Sequence, residues 1–362
     1  MGYYSLFRWT KRCSWSNCYI MSEKTTSNIK PQTSNSVHAL GLLSGGLDSM
    51  LAAQLLRRQG IEVTGIIFQT PFFGSRRGVA AAKQLGIAYR VEDITLDHLA
   101  MVKAPKYGYG KNMNPCIDCH AMMFEKAGGL MAEMGAHFLF SGEVLGQRPM
   151  SQNIKALRLV EEASHYQGLI LRPLSARLLP ETDPERKRWV NREQLMDIQG
   201  RSRKRQMQLA YEWGLTEFPT PGGGCLLTDP GFSVRLEELL DSEPSSGPTD
   251  IEKLKLGRHF RLPDGSKAVV GRHHQDNEEL QLLVGNGDIV LKQSDAPGPL
   301  TVLDGNASEK DLRIASALTA RYTKAGASGE KVSIIVLKPG GDEDVLEVKP
   351  MSLADVERYR VG

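Results

Sequence analysis

Residues 40–58 read LGLLSGGLDSMLAAQLLRR, and this stretch decides the fold of the chain. A short apolar run at 37–43 leads into two glycines, after which Met50, Leu51 and Leu55 recur at helical spacing. The pattern predicts a strand, a tight glycine turn and a helix. Glycines let the backbone approach an anion closely, and the free amides and the dipole at a helix start favour negative charge. The stretch therefore predicts a phosphate-binding site.

The hexapeptide SGGLDS at residues 44–49 makes this prediction more specific. It resembles the SGGxDS motif of the PP-loop ATP pyrophosphatases, which cleave ATP between the α and β phosphates, and we call it the PP-loop. It lacks the GK[ST] ending of the P-loops of kinases and GTPases. A carboxylate repels bare phosphate, so Asp48 is expected to hold Mg²⁺ or to lie beside the reacting phosphorus. The ATP-binding residues predicted here are Ser44, Gly45, Gly46, Asp48 and Ser49.

The composition is that of an ordinary globular protein. Of 362 residues, 41% are hydrophobic and 24% are charged, and two domains are the natural expectation at this length. No uncharged apolar run reaches the roughly 18 residues that span a bilayer, and five cysteines do not make a disulfide framework. We therefore expect a cytoplasmic protein without a membrane partner. Residues 1–36 are expected to be a disordered extension, within which Met21 is an alternative start.

Strand and helix patterns alternate over residues 37–235, which indicates a doubly wound parallel sheet of the α/β class. Beyond the first unit, strands are expected at 63–68, 89–94, 137–140 and 169–171, and helices at 75–85, 122–134 and 150–163. Ligands of such sheets bind beyond the carboxyl ends of the strands. Because Phe68 and Gly142 lie at two of these ends, we expect adenine near Phe68 and ribose or phosphate near Gly142. The alternatives are a plain core residue and a plain turn.

The segment at 101–119, MVKAPKYGYGKNMNPCIDC, alternates cations with aromatic rings. Lysines beside tyrosines suit an unstacked RNA base and its phosphates. Lys106 and Lys111 are therefore candidate contacts to such an RNA, and the alternative is a mobile, solvated loop.

Three cysteines outside the N-terminal extension form a second candidate site. Cys116 and Cys119 are three residues apart, and Cys225 follows three glycines in the sequence PTPGGGCLLTD. Three cysteines are enough to hold an iron–sulfur cluster with one iron open, and they are also enough for a persulfide relay with a resolving thiol. The lack of a second CxxC disfavours a four-cysteine zinc site. His120 either replaces a missing ligand or is structural.

The PP-loop, the NPCIDC segment at 114–119 and Cys225 together resemble the tRNA thiouridine synthetases. Cys119 falls on the cysteine of the NPxxxC motif of the tRNA-specific 2-thiouridylases, and Cys225 matches their later, persulfide-bearing cysteine. Cys116 is extra to that motif, and it fits relatives that carry a [4Fe–4S] cluster on three cysteines. The chain also resembles a subgroup that is similar to the 4-thiouridine synthetases. It is expected to lack the N-terminal THUMP domain of the standard 4-thiouridine enzyme.

The resemblance implies an ATP- and Mg²⁺-dependent tRNA sulfurtransferase. Such an enzyme adenylates a uridine carbonyl oxygen and then transfers sulfur, as cluster-bound sulfide or as a cysteine persulfide. It implies tRNA as the substrate and a cysteine desulfurase or sulfide as the sulfur donor. The implied catalytic residues are Asp48, Cys119 and Cys225, and the implied cluster ligands are Cys116, Cys119 and Cys225.

A basic run at 181–205 opens a helix that is expected to continue to Trp213. A positive helix start opposes the helix dipole, so an anion is expected to compensate. We expect this anion to be tRNA phosphate or, for Arg201 and Arg203, ATP phosphate. The alternative is that the run is only a solvated face. The predicted tRNA-binding residues are Arg201, Arg203, Lys204 and Arg205.

The last third of the chain has a different pattern. Residues 236–250 are expected to be a linker because of their Ser, Pro and Gly content. At 251–362, short strand-like runs alternate with turns, among them LQLLVG at 280–285, and one helix at 309–325 interrupts them. This indicates a small α+β domain. It resembles the NFACT-type RNA-binding domain, which accompanies thiouridine-synthetase ATPases and would anchor tRNA.

Two other functions fit part of the pattern. A PP-loop ligase or amidotransferase also adenylates a carbonyl group, but it acts on a non-tRNA acceptor and needs no three cysteines. A non-catalytic RNA-binding protein would carry a decayed ATPase site, against which the intact PP-loop argues. Release of pyrophosphate from ATP in the presence of tRNA separates these functions from thiolation.

Overall fold

A computed structural model describes residues 36–219 and 224–362. The predicted extension before Ser36, with Cys13 and Cys18, lies outside the described residues. So do two of the three glycines that precede Cys225. The elements of the fold are those of residues 36–219 and 224–362.

The first sheet has five strands, all parallel, in the order β3-β2-β1-β4-β5. After β1, the chain adds β2 and β3 on one side of β1. It then crosses over and adds β4 and β5 on the other side, so the strand order reverses between β1 and β4. This confirms the predicted doubly wound α/β architecture. The elements are β1 His38–Leu42, α1 Leu47–Arg57, β2 Glu62–Gln69, α2 Arg76–Leu85, β3 Ala88–Asp93, α3 Thr95–Lys103, α4 Cys116–Gly129, β4 Phe138–Ser141, α5 Ile154–Ser164, β5 Ile170–Leu171, α6 Asp183–Arg186 and α7 Lys204–Glu212.

Both faces of this sheet are buried, as the continuous apolar strands require. One face packs against α1 and α2, and Leu47, Met50 and Leu51 of α1 are completely buried there. The opposite face packs against α4 and α5, with Phe124 and Val160 in its core. The sheet is therefore a rigid platform, and its carboxyl edge is the place where ligands can bind.

Two helices begin at different residues from those predicted. Helix α4 begins at Cys116 instead of 122, because Pro115 stops the preceding loop and the chain turns directly into the helix. Helix α5 begins at Ile154 instead of 150, where the Asn153 side chain accepts a hydrogen bond of 3.0 Å from the Ala156 amide. Such local capping decides helix starts more strongly than apolar spacing does. Both cysteines of the CxxC pair consequently lie in the first turn of α4.

The second sheet has seven strands, in the order β11-β10-β8-β9-β7-β6-β12, and its pairings are antiparallel. Helix α11 covers one face of it. The elements are α8 Pro230–Ser242, α9 Pro248–Lys253, β6 Arg258–Arg261, β7 Lys267–Val270, α10 His274–Leu282, β8 Ile289–Gln293, β9 Thr301–Leu303, α11 Glu309–Arg321, α12 Lys324–Ala327, β10 Val332–Leu337, β11 Glu343–Val348, α13 Leu353–Tyr359 and β12 Arg360–Val361. Within the described ranges, no helix is both long and apolar enough to cross a membrane.

The predicted α+β class of this part is confirmed, but one of its strands is wrong. The LQLLVG run at 280–285 begins inside α10, where Leu280 is completely buried and Leu282 is 84% exposed. Such an uneven exposure fits one face of a short helix. The run is too short for the spacing of its apolar residues to distinguish a helical period from the alternation of a strand. The single helix predicted at 309–325 is divided into α11 and α12, with a break at Tyr322 and Thr323.

The structure also differs from the sequence at the predicted linker, 236–250. Helix α8 extends through the first part of it, and α9 begins before its end, with Pro230 and Pro248 in the first turns of the two helices. Proline suits this helical position, so its presence did not signal a loop here. Arg261 of β6 donates hydrogen bonds to the carboxylates of Glu238 (2.6 Å) and Glu243 (3.0 Å). The segment thus consists of the end of α8, a turn at 243–247 and the start of α9, and Arg261 holds it against the second sheet. The domain boundaries themselves stay a prediction.

His259 in β6 makes the stability of the protein sensitive to pH. Its ring is 3% exposed, and burial together with the charges of Lys267 and Arg235 lowers its pKa to about 3. The unfolded chain binds the proton near pH 6.5, so this contribution is complete above pH 6.5 and falls as the pH drops towards 3. We expect a loss of about 2 kcal/mol between pH 7 and pH 5 from this group. Urea unfolding of His259→Gln at both pH values should show a difference smaller by that amount, and an unchanged difference would contradict the assignment.

Candidate functional site

The two loops at the point where the strand order reverses lie against each other. Leu42 of β1 pairs with Ser141 of β4, so the chain leaves both strands at the same edge of the sheet. A Cβ atom on Gly142 would lie 2.3 Å from the backbone nitrogen of Ser49. Only glycine fits there, because the loop after β4 touches the start of α1. Gly142 therefore shapes the PP-loop by close packing, and contact with ribose or phosphate stays a prediction.

The PP-loop is held by its own hydroxyl groups. The Ser49 hydroxyl donates a hydrogen bond of 2.8 Å to the Gly46 carbonyl, and the Ser44 hydroxyl accepts one of 3.3 Å from the Gly46 amide. Gly46 is the N-cap residue of α1, with no side chain to occupy the free amides of the first turn. Ser44 is exposed, while Ser49 is buried. The amides at the start of α1 and the Ser44 hydroxyl are thus arranged to face an anion.

Gly45 is the position at which the PP-loop tolerates no side chain. Its φ is +78°, and a Cβ atom would lie 2.4 Å from the carbonyl of Arg77. We expect Gly45→Ala to destabilise the protein by about 3 kcal/mol, from the left-handed backbone and the overlap together. Gly60 has the same φ of +78° with nothing within 4 Å of a Cβ, so Gly60→Ala should cost only about 1 kcal/mol. Equal losses of unfolding free energy in the two variants would show that the close approach is unimportant.

Buried polar atoms without hydrogen-bond partners converge on Asp48. One oxygen of its carboxylate accepts a hydrogen bond of 3.0 Å from Gln147, and the other is buried and has no partner among the described residues. The Arg203 Nε and both polar atoms of the Gln206 side chain are likewise buried and unpartnered there. Burial raises the pKa of Asp48, and Gln147, Arg203, Arg148 and the nearby Gln206 amide partly oppose this. Groups of this kind fit a Mg²⁺–polyphosphate, since the carboxylate suits the metal and the guanidinium suits phosphate oxygens.

The start of α7 is brought to the PP-loop by the segment before it. The Gly200 amide donates a hydrogen bond of 2.7 Å to the Leu145 carbonyl, which ties this segment to the loop after β4. Arg203 then lies at the N-cap position, and Gln206 is in the first turn. Of the other predicted contacts in this run, Arg205 pairs with Asp197 at 2.8 Å, and Arg201 and Lys204 are exposed.

Phe68 lies in the hydrophobic core and is 6% exposed. It packs with Leu40, Phe124 and Leu139 between the sheet and helix α4. The strand end that carries it turns the ring inward, because alternate residues of a strand face opposite sides. Its ring is covered by core side chains, and we do not carry it forward into the ATP-binding proposal.

The three cysteines are free thiols, each partly buried, and they lie near one another. Burial raises the pKa of Cys119 well above its usual value, and the nearby thiols of Cys225 and Cys116 raise it further. Burial likewise raises the pKa of Cys225 to about 11. Cys225 reaches this position because the next residue, Leu226, donates its amide to the Phe72 carbonyl at 3.0 Å. The fold thus assembles two thiols of one helix and a remote third into a single cluster of protonated thiols.

His98 of α3 is a member of this cluster that the sequence did not indicate. It is completely buried, its Nε2 lies 3.2 Å from the Cys119 sulfur, and its Nδ1 has no partner among the described residues. The rings of Phe72 and Phe73 enclose it, with centroids at 5.5 and 5.3 Å. Burial lowers its pKa to about 4, so the imidazole is neutral at pH 7. A lone histidine in an amphipathic helix gives no sequence signal for this contact.

The donor atoms near the three cysteines do not match the predicted [4Fe–4S] cluster. Within the described part of the chain, no three His, Cys, Asp or Glu side chains are arranged to hold a metal ion. His120, the candidate replacement ligand, binds Glu143 through Nδ1 at 2.7 Å and is therefore engaged elsewhere. The thiols in this conformation do not fit a cluster, and we derive no step through one.

A buried ionic network connects the cysteine helix with the loop after β4. Glu143 pairs with His120 of α4 at 2.7 Å and with Arg172 at 2.9 Å, and it accepts the Ser141 hydroxyl at 3.0 Å. Arg172, 3% exposed, also pairs with Glu161. Although burial disfavours the carboxylate, the charge of Arg172 and the bond from His120 hold the pKa of Glu143 at about 2. The network fixes Cys119, next to His120, relative to the PP-loop, which Gly142 touches.

The lysine- and tyrosine-containing segment before α4 is folded. The buried carboxylate of Asp118 accepts the amides of Lys106 (2.9 Å) and Tyr107 (3.1 Å). The Lys103 amine donates to the carbonyls of Pro244 (2.8 Å) and Ser246 (2.7 Å), which removes it from the candidate RNA contacts. Tyr109, Lys106 and Lys111 keep exposed or partly exposed side chains.

Comparison with known sequences agrees with both parts of the chain. Residues 34–177 match the family described as thiamine biosynthesis protein (ThiI), and residues 257–360 match the NFACT protein RNA binding domain. A tRNA-specific 2-thiouridylase MnmA of Methylobacterium nodulans is 28% identical over 345 residues, covering 83% of this chain and 87% of that protein. A probable tRNA sulfurtransferase of Finegoldia magna is 32% identical over 165 residues. This alignment covers 44% of the present chain and 41% of the relative, so the chain spans less than half of that protein.

Solved structures give weaker matches. A predicted subunit of tRNA methyltransferase from Methanocaldococcus jannaschii has a TM-score of 0.29 at 20% identity, over 38% of this chain and 69% of that chain. The C-terminal part of the fibronectin/fibrinogen-binding protein from Streptococcus suis has a TM-score of 0.27 at 14% identity, over 73% and 97%. Such scores carry no argument about function. The sequence matches confirm the resemblance to the PP-loop tRNA thiouridine synthetases, with an NFACT-type RNA-binding domain at the C-terminal end.

Proposed function

We propose that this chain, which resembles the PP-loop tRNA thiouridine synthetases, catalyses the ATP-dependent thiolation of a tRNA uridine. The observation that carries the proposal is the proximity of two chemically different sites. Arg77 links them by geometry, because its carbonyl packs against Gly45 of the PP-loop and its Nη1 lies 3.8 Å from the position of a Cβ on Gly224, the residue before Cys225. Burial raises the pKa of both Asp48 and Cys225, and the charge of Arg148 partly opposes both shifts, so Arg148 also lies near both groups. A phosphate-binding loop therefore lies beside a cluster of thiols, which is what adenylation followed by sulfur transfer needs.

The first step activates the uridine. Its carbonyl oxygen attacks the α-phosphorus of ATP, the bond to the bridging β-phosphate oxygen breaks, and pyrophosphate leaves. The start of α1, Ser44 and Arg203 bind phosphate oxygens, and Gln147 orients the carboxylate of Asp48. Asp48 would hold Mg²⁺, which would supply charge neutralisation for the departing pyrophosphate. The amides and the guanidinium are in place before the reaction, so little reorganisation is needed.

The second step replaces oxygen by sulfur. The terminal sulfur of a persulfide on Cys225 attacks the activated carbon, and AMP leaves with the former carbonyl oxygen. The Cys119 thiol passes its proton to the neutral His98 ring, whose Nε2 lies 3.2 Å away, and its sulfur attacks the Cys225 sulfur. This step frees the thiolated uridine and leaves a disulfide between the two cysteines. In one route an external thiol reductant restores the two thiols, and the persulfide of a cysteine desulfurase passes its outer sulfur to Cys225. In the other route sulfide attacks the disulfide directly, which gives the Cys225 persulfide and the free Cys119 thiol without a further oxidant. The clustering of these cysteines supports their roles as carrier and resolving residue.

Recognition of tRNA is assigned to two regions. The first comprises exposed cations around the site, among which are Lys106, Lys111, Arg201, Lys204 and Arg205. The second is the C-terminal part, 251–362, whose match to an RNA-binding domain supports its role as anchor. We propose 37–235 as the catalytic domain. We also propose a cytoplasmic location, where tRNA and ATP are available.

The decisive experiment measures pyrophosphate release from ATP with and without tRNA. Release that depends on tRNA, together with a mass increase of the tRNA that corresponds to exchange of oxygen for sulfur, is the expected result. A variant with Cys225→Ser should still release pyrophosphate but form no thiolated product. Release that requires another acceptor and ignores tRNA would favour a PP-loop ligase, and tRNA binding without any release would favour a non-catalytic RNA-binding protein.

A separate measurement decides between persulfide and cluster. Anaerobically purified protein should contain no stoichiometric iron and no thiolate-to-iron absorbance at roughly 400 nm. Colour and activity lost together in Cys116→Ala would instead support the [4Fe–4S] cluster on Cys116, Cys119 and Cys225. Full activity of iron-free protein would support the persulfide route.

A further inference from the structure

We propose that Arg77 and Arg148, here called the arginine pair, bind the phosphodiester of the RNA strand beside the target nucleotide. This inference rests on the proposed function and names a binding site that the PP-loop and the cysteines do not provide. Both side chains lie between the loop that splits ATP and the thiol that carries sulfur. A nucleoside that is activated at one and thiolated from the other must lie in the same place.

Arg77 connects the two sites by its position. It is in the first turn of α2, and its carbonyl packs directly against Gly45 of the PP-loop. Its guanidinium extends to the cysteine segment, where Nη1 lies 3.8 Å from the position of a Cβ on Gly224. Gly224 immediately precedes Cys225. One side chain therefore spans the distance from the PP-loop to the sulfur-carrying residue.

Arg148 reaches the same place from the other side. It follows Gln147, whose amide holds Asp48, and its carbonyl accepts the amides of Ser151 (3.2 Å) and Gln152 (2.7 Å) in a tight turn. The turn is closed by the Gly146 amide, which donates 2.7 Å to the Gln152 carbonyl. The backbone of Arg148 is thus fixed, and its charge acts on Asp48 and Cys225 together.

The arginine pair has no other structural task. Both residues are exposed, and neither side chain makes a hydrogen bond or an ion pair within the described ranges. Two other cations near the site differ, since Arg205 pairs with Asp197 and Lys103 binds backbone carbonyls. Unpaired guanidinium groups are suited to phosphate oxygens, which they bind in a bidentate manner.

The position favours RNA phosphate over ATP phosphate. The PP-loop already offers the α1 amides and Arg203 to ATP, around the carboxylate of Asp48. The Nη1 of Arg77 instead lies 3.8 Å from the position of a Cβ on Gly224, on the side of the cysteine segment. A base held between Asp48 and Cys225 has its own phosphates just outside this gap, where the arginine pair is exposed.

The test measures the affinity of the full chain for fluorescently labelled tRNA over a series of KCl concentrations. We expect Arg77→Gln and Arg148→Gln each to weaken tRNA binding, and to reduce the slope of log K against log [KCl] by about 0.7, the value for one phosphate of a single strand. Affinity for a non-hydrolysable ATP analogue should stay within about twofold. Arg158→Gln is the control, because Arg158 is exposed on α5 and, among the residues that the structure describes, pairs only with Glu162 of its own helix. It should leave the slope unchanged.

Three outcomes overturn specific parts of the inference. If the wild-type chain binds tRNA and both variants keep its slope, the arginine pair does not contact RNA, and the proposed function stands. If the variants lose affinity for the ATP analogue instead, the pair belongs to the nucleotide site. If the wild-type chain shows neither tRNA binding nor tRNA-dependent pyrophosphate release, the proposed function itself fails. Arg77→Lys and Arg148→Lys should recover most of the salt slope, because the charge is kept.

Discussion

Asp48→Asn is expected to lower the rate of pyrophosphate release by roughly 100- to 1,000-fold while leaving the fold intact. Asparagine has the same shape, and its carbonyl oxygen can still accept the hydrogen bond from Gln147. It lacks the negative charge that, in the proposed mechanism, would hold Mg²⁺ against the departing pyrophosphate. The carboxylate is desolvated in the folded protein, as its raised pKa indicates. The neutral side chain should therefore keep or slightly increase the unfolding free energy at pH 7.

The combination of lost activity and retained stability distinguishes a functional carboxylate from a structural one. Single-turnover release of pyrophosphate and urea unfolding measure the two quantities on the same preparation. Asp97→Asn serves as the control, because Asp97 is exposed and pairs with Lys126 at the surface. It should change neither quantity much. A variant at Asp48 that is unstable, or one that retains most of the wild-type rate, would contradict the assigned role.

Glu143→Gln is expected to destabilise the protein by about 3 kcal/mol. The substitution removes the charge that faces Arg172, which is buried and would keep only Glu161 as an ionic partner. It also weakens the hydrogen bond to His120 in helix α4. Glu143 keeps its charge down to pH 2 in the folded state. Its contribution is therefore present above the unfolded pKa of about 4.3 and is lost as the pH falls towards 2.

Glu162→Gln is a matched control for this prediction. Glu162 pairs with Arg158 at 3.7 Å on the exposed surface of α5, so its removal should change the unfolding free energy by less than 1 kcal/mol. Urea unfolding at pH 7 compares the two variants. A loss at Glu143 no larger than that at Glu162 would mean that the network is not a stabilising unit. Reactivity of Cys119 towards an alkylating reagent should also change in Glu143→Gln, because His120 and Cys119 are adjacent.

The sequence predicted the fold of the first part well because the relevant signals are local. Apolar runs ended by glycines gave the strands and helices of a parallel sheet, and the PP-loop motif marked its functional edge. The start of α4 was misplaced because Pro115 decides it, and apolar spacing began only later in the helix. The same reliance on composition made residues 236–250 look like a linker, although Pro248 begins a helix there.

The candidate site was only partly predictable, for a different reason. Asp48, Cys119 and Cys225 belong to recognisable motifs, whereas Gln206 and His98 acquire their meaning from contacts with distant segments. His98 meets Cys119 from another helix, and Gln206 meets Asp48 across more than 150 positions. A single glutamine or histidine has no pattern that reveals such contacts. His120 shows the converse, since its place beside a cysteine suggested a ligand and the structure gives it a carboxylate partner.

Helix α8 connects the Cys225 segment with the second sheet. Its first turn follows directly from the Cys225 segment, where Asp229 caps the helix and the Thr228 hydroxyl bonds to the Cys225 carbonyl at 2.7 Å. Its far end is clasped by Arg261 of the second sheet. The helix therefore connects the segment of Cys225, the proposed sulfur carrier, to the sheet that matches an RNA-binding domain. A boundary placed between residues 236 and 242 would divide this helix. Exchange of the C-terminal part at that boundary should therefore disturb the position of Cys225.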